Sequence, residues 1–257
     1  LHRKALVGRV VTADSPQGRF NDGAARIDGS TMAGAEAYGK HLFQRYVATD
    51  GESLTLHVHL GLFGRWRTHR LPGPPPTAGT RLRLRTEAAV LHLAGATACE
   101  LIDPSQEVAI LRRLGPDPLR RDADPQRAWT ALQRRRSSIG AALMDQSVLA
   151  GVGNVFRAEA LFVCGIHPDR PAREVSCAEW GLLWSTLVAM LRAGERAGRI
   201  VTVDPAELGA ASAAKLPPDE RVYVYRRTGQ GCRRCGTPVR RWDMAARRVY
   251  ACDTCQT

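Results

Sequence analysis

The sequence predicts an α+β multidomain protein with an N-terminal β-sandwich, a C-terminal helical domain and a small four-cysteine hairpin. Three observations carry this. Residues 5–100 hold short runs with period-two alternation or β-branched and aromatic residues, separated by turn signals. From Asp103 to about Gly198 the pattern becomes helical, with capping residues in place. Near the C-terminus two Cys-x2-Cys pairs stand sixteen residues apart. The domain limits read as 1–118, 119–225 and 226–257.

In the first segment ALVGRVVTA, HLFQRYVA, LTLHVHLGLFG and RLRLRT read as strands. SPQG at 15–18, DG at 22–23, DGS at 28–30, DGES at 50–53 and the PGPPPTAG loop at 72–79 punctuate them. Regular punctuation of this kind suits a sandwich or barrel-like sheet. DPSQEVAILRRLG then offers Asp103 as N-cap, Pro104 at the first helical position and Gly115 as a stop. The connector GPDPLRRDADP marks the domain boundary, and a second Asp-Pro start at 124–125 opens AWTALQRRR. SCAE at 176–179 is a capping-box signature ahead of WGLLWSTLVAMLRAG. Residues 203–221 lose pattern and read as a loop.

Cys232, Cys235, Cys252 and Cys255 have the spacing of a metal site. Thiolates suit a zinc ion, which accepts tetrahedral sulfur, and each Cys-x2-Cys turn presents two sulfurs to one centre. The spacer can form a hairpin, with WDMAARRVY making its turn and return strand. With four cysteine ligands no position stays open for water, so a single structural zinc ion is expected. Two disulfides are the alternative, disfavoured in a cytoplasmic chain. Arg240, Arg241, Arg247 and Arg248 on that hairpin could hold phosphates or form a solvated face.

The 257 residues carry a formal net charge of +12, which points to a polyanionic partner, nucleic acid ahead of anionic membrane. Of the 37 basic residues only Lys4, Lys40 and Lys215 are lysine, a skew that base composition alone can produce. No stretch approaches the ~20 apolar residues of a membrane span, and Arg, Lys and Asp stud the first twenty residues, so no signal peptide is read. A cytoplasmic, nucleoid-associated bacterial monomer without a membrane partner is the expectation. The chain opens on Leu1 rather than Met, which reads as a processed or truncated start.

The segment AGVGNVFRAEALF allows three readings. A dinucleotide turn needs a preceding strand and a third glycine, but Phe156 holds that place and IGAALMDQSVL before it looks helical. A plain corner between helices would use Gly151 and Gly153 for close packing. A phosphate-binding corner would use them to let the backbone approach, with helix N-terminal N–H groups and the Asn154 amide as donors. Basic flanks at Arg134 to Arg136 and at Arg157 favour the third.

Residues 139–172, IGAALMDQSVLAGVGNVFRAEALFVCGIHPDRPA, are similar nearly end to end to the helix–two-turn–helix segment of the formamidopyrimidine-DNA glycosylase and endonuclease VIII (Fpg/Nei) family. The four-cysteine segment ending in CDTCQ resembles that family's zinc finger, and YGKHLF at 38–43 and HLGLFG at 59–64 resemble two of its strand motifs. The resemblance spans almost the whole chain, in the expected order. It implies a bifunctional glycosylase/AP lyase of base excision repair, in which a β-sandwich and a helical domain clasp damaged DNA and the lesion nucleotide is flipped out. In the family an N-terminal proline amine attacks the sugar C1′ and forms a Schiff base while the oxidised base leaves. The neighbouring glutamate acts as acid, and β- then δ-elimination cut the strand on both sides.

Carried onto this chain, the resemblance gives Lys40 a role near the lesion and in elimination. It makes Asn154, with Gly151 and Gly153, a phosphate contact, and Arg247 the finger arginine that grips phosphate and is linked to δ-elimination. Leu62 and Phe63 match the apolar wedge that fills the gap left by the flipped base. Two features depart from the family. Its Pro-Glu-Gly start is absent from residues 1–257, and LHR at 1–3 resembles residues just downstream of it, so a native start a few residues earlier is expected. The purine-specific branch carries a DPRRFG-like loop where this chain reads DPSQEV, which favours an endonuclease VIII-like enzyme for oxidised pyrimidines in double- or single-stranded DNA. The alternatives are an 8-oxoguanine-preferring glycosylase, a non-catalytic DNA-binding family member, and a zinc-ribbon transcription or translation factor. The last explains the finger but not YGKHLF.

Overall fold

The computed structural model describes residues 2–257; the reading of the chain's start, which falls on Leu1, lies outside them. Two compact units are formed, Leu1–Arg112 and Arg113–Thr257. No helix among the described residues is long and apolar enough to cross a membrane.

The first unit runs through α1 (His2–Leu6), β1 (Thr12–Asp14), α2 (Asn21–Ile27), β2 (Thr31–Tyr38), β3 (His41–Val47), β4 (Ser53–His59), β5 (Arg65–His69), β6 (Thr80–Arg85), β7 (Val90–Ala94), β8 (Ala98–Ile102) and α3 (Pro104–Arg112). Two four-stranded antiparallel sheets form, ordered β1-β6-β7-β5 and β2-β3-β4-β8. Met32, Leu54, Leu56 and Val58 of one sheet and Leu82, Leu84, Leu91 and Leu93 of the other share a core, which makes this unit the expected β-sandwich. The run ALVGRVVTA, however, is not one strand. Ala5 and Leu6 end α1, the chain turns at Gly8 (φ +79°), and β1 begins only at Thr12. The apolar residues Leu6 and Val11 are fully buried from opposite sides of that turn, and the backbone from Gly8 to Val11 bonds to the start of β2 without forming a continuous strand with β1.

The second unit comprises α4 (Pro125–Gln133), α5 (Ile139–Ala142), α6 (Asn154–Val163), α7 (Cys177–Ala197), β9 (Arg240–Met244) and β10 (Arg247–Ala251). The expected loop at 203–221 is organised as three short 3-10 turns, Pro205–Leu208, Ala213–Lys215 and Pro218–Glu220. Helix α6 is central. Ala160 and Leu161 pack into a core with Leu132, Ile139, Leu183 and Leu187, while Ala158 and Phe162 pack into a second core with Tyr223, Val239, Tyr250 and Cys252.

Capping side chains stand where the sequence placed them. Asp103 accepts the Gln106 amide at 2.9 Å and Asp124 the Gln126 amide at 2.8 Å. Ser176 and Glu179 form the reciprocal capping box at the start of α7. The first of these helices ends at Arg112, short of the expected stop at Gly115. Gly115 instead serves close packing. A Cβ there would lie 2.4 Å from the Val148 carbonyl, a separation that only glycine permits.

The capping box sets a pH dependence of stability. Hydrogen bonds from Arg170 and Ser176 hold the Glu179 carboxyl down at about 2. A folded-state value below the unfolded one, about 4.3, contributes stability present above that unfolded value and lost as pH falls toward the folded one. Glu179→Gln should therefore be less stable than the parent protein at neutral pH, and chemical denaturation should show that difference shrinking between about pH 5 and pH 2.

Glu159, fully buried on α6, gives a larger effect. Its carboxylate accepts the backbone N–H groups of Tyr223 (2.6 Å), Val224 (3.0 Å) and Tyr225 (2.8 Å) and the Thr202 hydroxyl (2.5 Å). Glu159→Ala strands three buried donors at roughly 1–3 kcal/mol each. A loss of at least about 3 kcal/mol is expected, with a smaller loss for Glu159→Gln, both read from denaturant midpoints.

Candidate functional site

The segment joining α5 to α6 is a corner built on two glycines and one glutamine. Gly151 sits at φ +88°, a left-handed conformation that side chains rarely adopt. Gly153, extended, is the residue before α6 and has no side chain to cap it. Gln146 staples the turn: its Oε1 accepts the Gly151 N–H at 3.0 Å, and its Nε2 donates to the carbonyls of Met144 and Val152. The corner therefore holds its own shape while the first N–H groups of α6 stay at the helix mouth, where the helix dipole favours an anion.

Asn154, half-buried at the first position of α6, reaches the other side of this corner. Its Nδ2 donates to the Arg248 carbonyl at 3.0 Å, and its Oδ1 accepts from Arg157 Nη2. Arg157, fully buried, also donates to the Arg248 carbonyl at 3.0 Å and to the Gly140 carbonyl at 3.2 Å. Burial, with a smaller contribution from nearby Arg247, pulls the Arg157 guanidinium down to about 10, so it remains charged at neutral pH. Asn154 and Arg157 thus bind the start of α6 to the tip of the β9–β10 hairpin. Asn154 keeps a second amide N–H that neither bond uses.

The hairpin turns at Ala245 and Ala246, both at positive φ, and pairs Arg247 with Met244 and Arg248 with Asp243. Arg241, Arg247 and Arg248 are exposed on it, and Arg240 stacks over Trp242 at 4.2 Å while pairing with Asp253. At its base the Sγ atoms of Cys232, Cys235, Cys252 and Cys255 all lie within 4.8 Å of one another. The Arg234 N–H points to Cys232 Sγ at 3.4 Å, the kind of donor a thiolate needs. Four sulfurs at this spacing fit a single metal ion. Gln256 anchors the cluster to the loop after α6, accepting the Cys252 N–H and donating to the Ile166 carbonyl, both at 2.9 Å.

In the first unit, Lys40 lies exposed in the two-residue turn between β2 and β3, after Gly39 at φ +57°. The β3–β4 register places His41 opposite His59, so this turn and the β4–β5 loop share one end of the sheet. The rings of His41 and His59 are 4.8 Å apart, and burial, with His57 and Lys40 nearby, lowers the His59 imidazole. Behind them His41 Nδ1 meets His57 Nε2 at 2.9 Å, and His57 Nδ1 meets Glu100 at 3.0 Å. In the β4–β5 loop Leu62 and Phe63 are 70% and 83% exposed, against the trend for large apolar side chains. Gly64 makes that loop possible, since a Cβ there would lie 2.2 Å from the Leu60 carbonyl oxygen.

The structure thus gathers Gly151, Gly153, Asn154 and Arg247 around one corner, and Lys40 with Leu62 and Phe63 at one sheet end. Gln146 and the His41–His57–Glu100 chain were not singled out by the sequence, and Arg157, expected as a basic flank for phosphate, is instead fully buried on the Gly140 and Arg248 carbonyls. The one signal for that role was the spacing of Arg157, a helical turn after Asn154.

Residues 114–204 match the family described as Formamidopyrimidine-DNA glycosylase H2TH domain. Over 261 aligned residues the chain is 42% identical to Endonuclease 8 1 of Mycobacterium tuberculosis (strain ATCC 25618 / H37Rv), covering 100% of this chain and 96% of that protein. It is 32% identical over 234 residues to the formamidopyrimidine-DNA glycosylase of Methylococcus capsulatus, covering 89% and 84% of the two. Among solved structures, Lactococcus lactis Fpg in complex with abasic-site DNA aligns at a TM-score of 0.80 and 24% identity, over 99% of this chain and 95% of that one, a likeness of fold. With a full-length relative at that level of identity, the chain belongs to the formamidopyrimidine-DNA glycosylase and endonuclease VIII family.

Proposed function

We propose that this chain is a DNA glycosylase with AP lyase activity in base excision repair, acting on oxidised bases with pyrimidines preferred. The observation that carries the reading is the lock of Asn154 and Arg157 onto the Arg248 carbonyl. It fixes a phosphate-sized set of donors: the mouth of α6, the remaining Asn154 N–H and the Arg247 guanidinium beside it. Groups of this kind position a nucleic-acid backbone without reading its sequence. Leu62 and Phe63, apolar and exposed on a loop kept tight by Gly64, are suited to fill the space of a base drawn out of the stack. Lys40, at the same sheet end, is an ammonium for the phosphates flanking that base and for the elimination steps.

The pyrimidine preference rests on Asp103–Val108. Here the stretch begins a capped helix, and Glu107 is engaged with Arg45. It offers neither the arginine nor the phenylalanine of the purine-specific loop.

The ion of the four-cysteine cluster is zinc in this reading. A zinc ion there would cross-link two short loops and offer no reactive position. Cys232, Cys235, Cys252 and Cys255 would hold it, and Gln256 would pass that rigidity to the α6 loop. Thr237 hydrogen bonds draw the Cys235 thiol down to about 6, whereas burial pushes Cys252 and Cys255 up. Binding displaces the remaining thiol protons, so affinity falls as pH falls. Competition with a colorimetric chelator should show weaker zinc retention at about pH 5.5 than at about pH 7.5, and chelation at neutral pH should abolish DNA retention. Equal retention at both values would count against thiolate ligation.

Activity is tested on the chain carrying a Met-Pro-Glu-Gly segment ahead of Leu1, the start the family uses. Borohydride should trap it covalently on thymine glycol and 5-hydroxyuracil DNA faster than on 8-oxoguanine DNA, in duplex and single-stranded forms. Binding without trapping would mark a non-catalytic DNA-binding protein. Arg247→Ala should weaken retention of damaged and undamaged DNA alike and lower the slope of log affinity against log salt by about 1. A loss confined to lesion DNA would mean that Arg247 reads the lesion rather than a phosphate.

A further inference from the structure

The first unit contains a second basic site that the proposed activity does not use. On the outer face of the β1-β6-β7-β5 sheet, Arg65, Arg67 and His69 project from alternate positions of β5, and the register sets Arg67 opposite His92 and Arg65 opposite Ala94. The small Ala94 leaves room between the two arginines and the neighbouring strand. The proline-rich loop supplies the facing wall through Pro74, Pro75 and Thr77. The resulting cleft has a volume of about 270 Å³, and no carboxylate lines it.

Its floor has unmet hydrogen-bonding capacity. His92 is 7% exposed, and its Nε2, like that of His69, has no hydrogen-bond partner among the described residues. Such an atom in the cleft wall has hydrogen-bonding capacity that a ligand or a water can meet. The two rings are 5.1 Å apart. Neither Arg65 nor Arg67 forms an ion pair among the described residues, whereas Arg83, across from His92 on β6, is held by Asp14 at 2.7 Å. Two guanidinium groups without a counter-charge therefore flank two imidazole nitrogens without a partner. A cation would be repelled here. A tetrahedral dianion would receive bidentate donors from the arginines and single donors from the rings. Proline at three successive positions, 74–76, limits the conformations the wall could otherwise adopt, so the cleft keeps its shape without ligand.

We propose that the cleft formed by Arg65, Arg67, His69 and His92 binds a phosphate dianion, either free inorganic phosphate or the terminal phosphate of a nucleotide. It is larger than one phosphate requires, which leaves space for a substituent on the ester oxygen. Burial, with His69, Arg83 and Arg67 nearby and Asp14 opposing them, keeps the His92 imidazole below its usual range, so at neutral pH it is uncharged and carries one proton. Placing that proton on Nε2 gives the cleft its donor.

The test follows the ring signals of His69 and His92 in nitrogen–proton correlation spectra of the full chain. Inorganic phosphate, thymidine 5′-monophosphate and thymidine are titrated separately. Saturable shifts of both rings by phosphate or by the nucleotide, with a midpoint near about 1 mM or below, are expected. Tighter binding of the nucleotide would identify an esterified phosphate as the ligand, and equal or tighter binding of the free ion would identify inorganic phosphate. Both arginines are exposed, so the double variant R65Q/R67Q should keep the parent melting temperature while weakening the midpoint by about tenfold or more. Shifts produced equally by thymidine, shifts that survive in R65Q/R67Q, or no saturable shift would each overturn the proposal.

Discussion

Two charged side chains buried on one short helix organise the second unit. Arg157 and Glu159 lie two positions apart on α6, so they leave it in different directions. Arg157 takes the carbonyls of Gly140 and Arg248; Glu159 takes three consecutive N–H groups at 223–225. Burying either charge without partners would cost several kcal/mol. Neither relies on a single ion pair. Each is instead matched by backbone dipoles of the complementary sign, which cannot swing away to solvent as a lysine or glutamate side chain can. The helix therefore dictates where the hairpin tip and the segment after Arg221 must lie, and the tip carries Arg247, proposed above to contact DNA.

The four-cysteine cluster works on the same hairpin from its other end. Arg157 and Asn154 hold the tip, Gln256 ties the base to the loop after α6, and a metal ion on the four sulfurs would fix that base further. A two-stranded hairpin alone is marginal in water. Fixed at both ends, it presents Arg247 from a backbone with little freedom left. The non-glycine turn at Ala245 and Ala246, both in the left-handed region, fits this view. Such a conformation costs of order 1 kcal/mol per residue and persists where the surroundings over-determine it.

Much of this was legible in the sequence, for identifiable reasons. Caps announce themselves because a short polar side chain before an apolar run has one efficient use, and Asp103, Asp124 and Ser176 all have it. Cysteine spacing is equally direct, since two Cys-x2-Cys turns have few other uses. The roles of Arg157 and Glu159 were hidden because arginine and glutamate within a helical run ordinarily mark its solvent face, and only tertiary partners reverse that. Strands β2, β5, β7 and β8 escaped notice, β5 and β7 for a related reason. Val90, Leu91, His92 and Leu93 are all buried, so β7 shows no alternation, while β5 offers only Trp66 as an apolar residue toward the core. The segment ALVGRVVTA misled in the opposite direction, because β-branched residues describe what a side chain packs against more than which strand it joins.

Within the corner, backbone carbonyl rather than side-chain carboxylate is the acceptor that matters. A carboxylate facing Asn154 and Arg157 would anchor the hairpin as firmly, but it would place a negative charge beside the proposed phosphate contact. The Arg248 carbonyl satisfies both donors and leaves the net charge of the corner positive. It also belongs to the residue next to Arg247, so the bond that closes the corner limits the backbone from which that guanidinium extends. Ordering a long arginine side chain on binding costs up to about 2 kcal/mol, and a free hairpin would add backbone ordering to it. Here the backbone part is settled on folding, and in the proposed phosphate contact only the side chain would remain to be ordered.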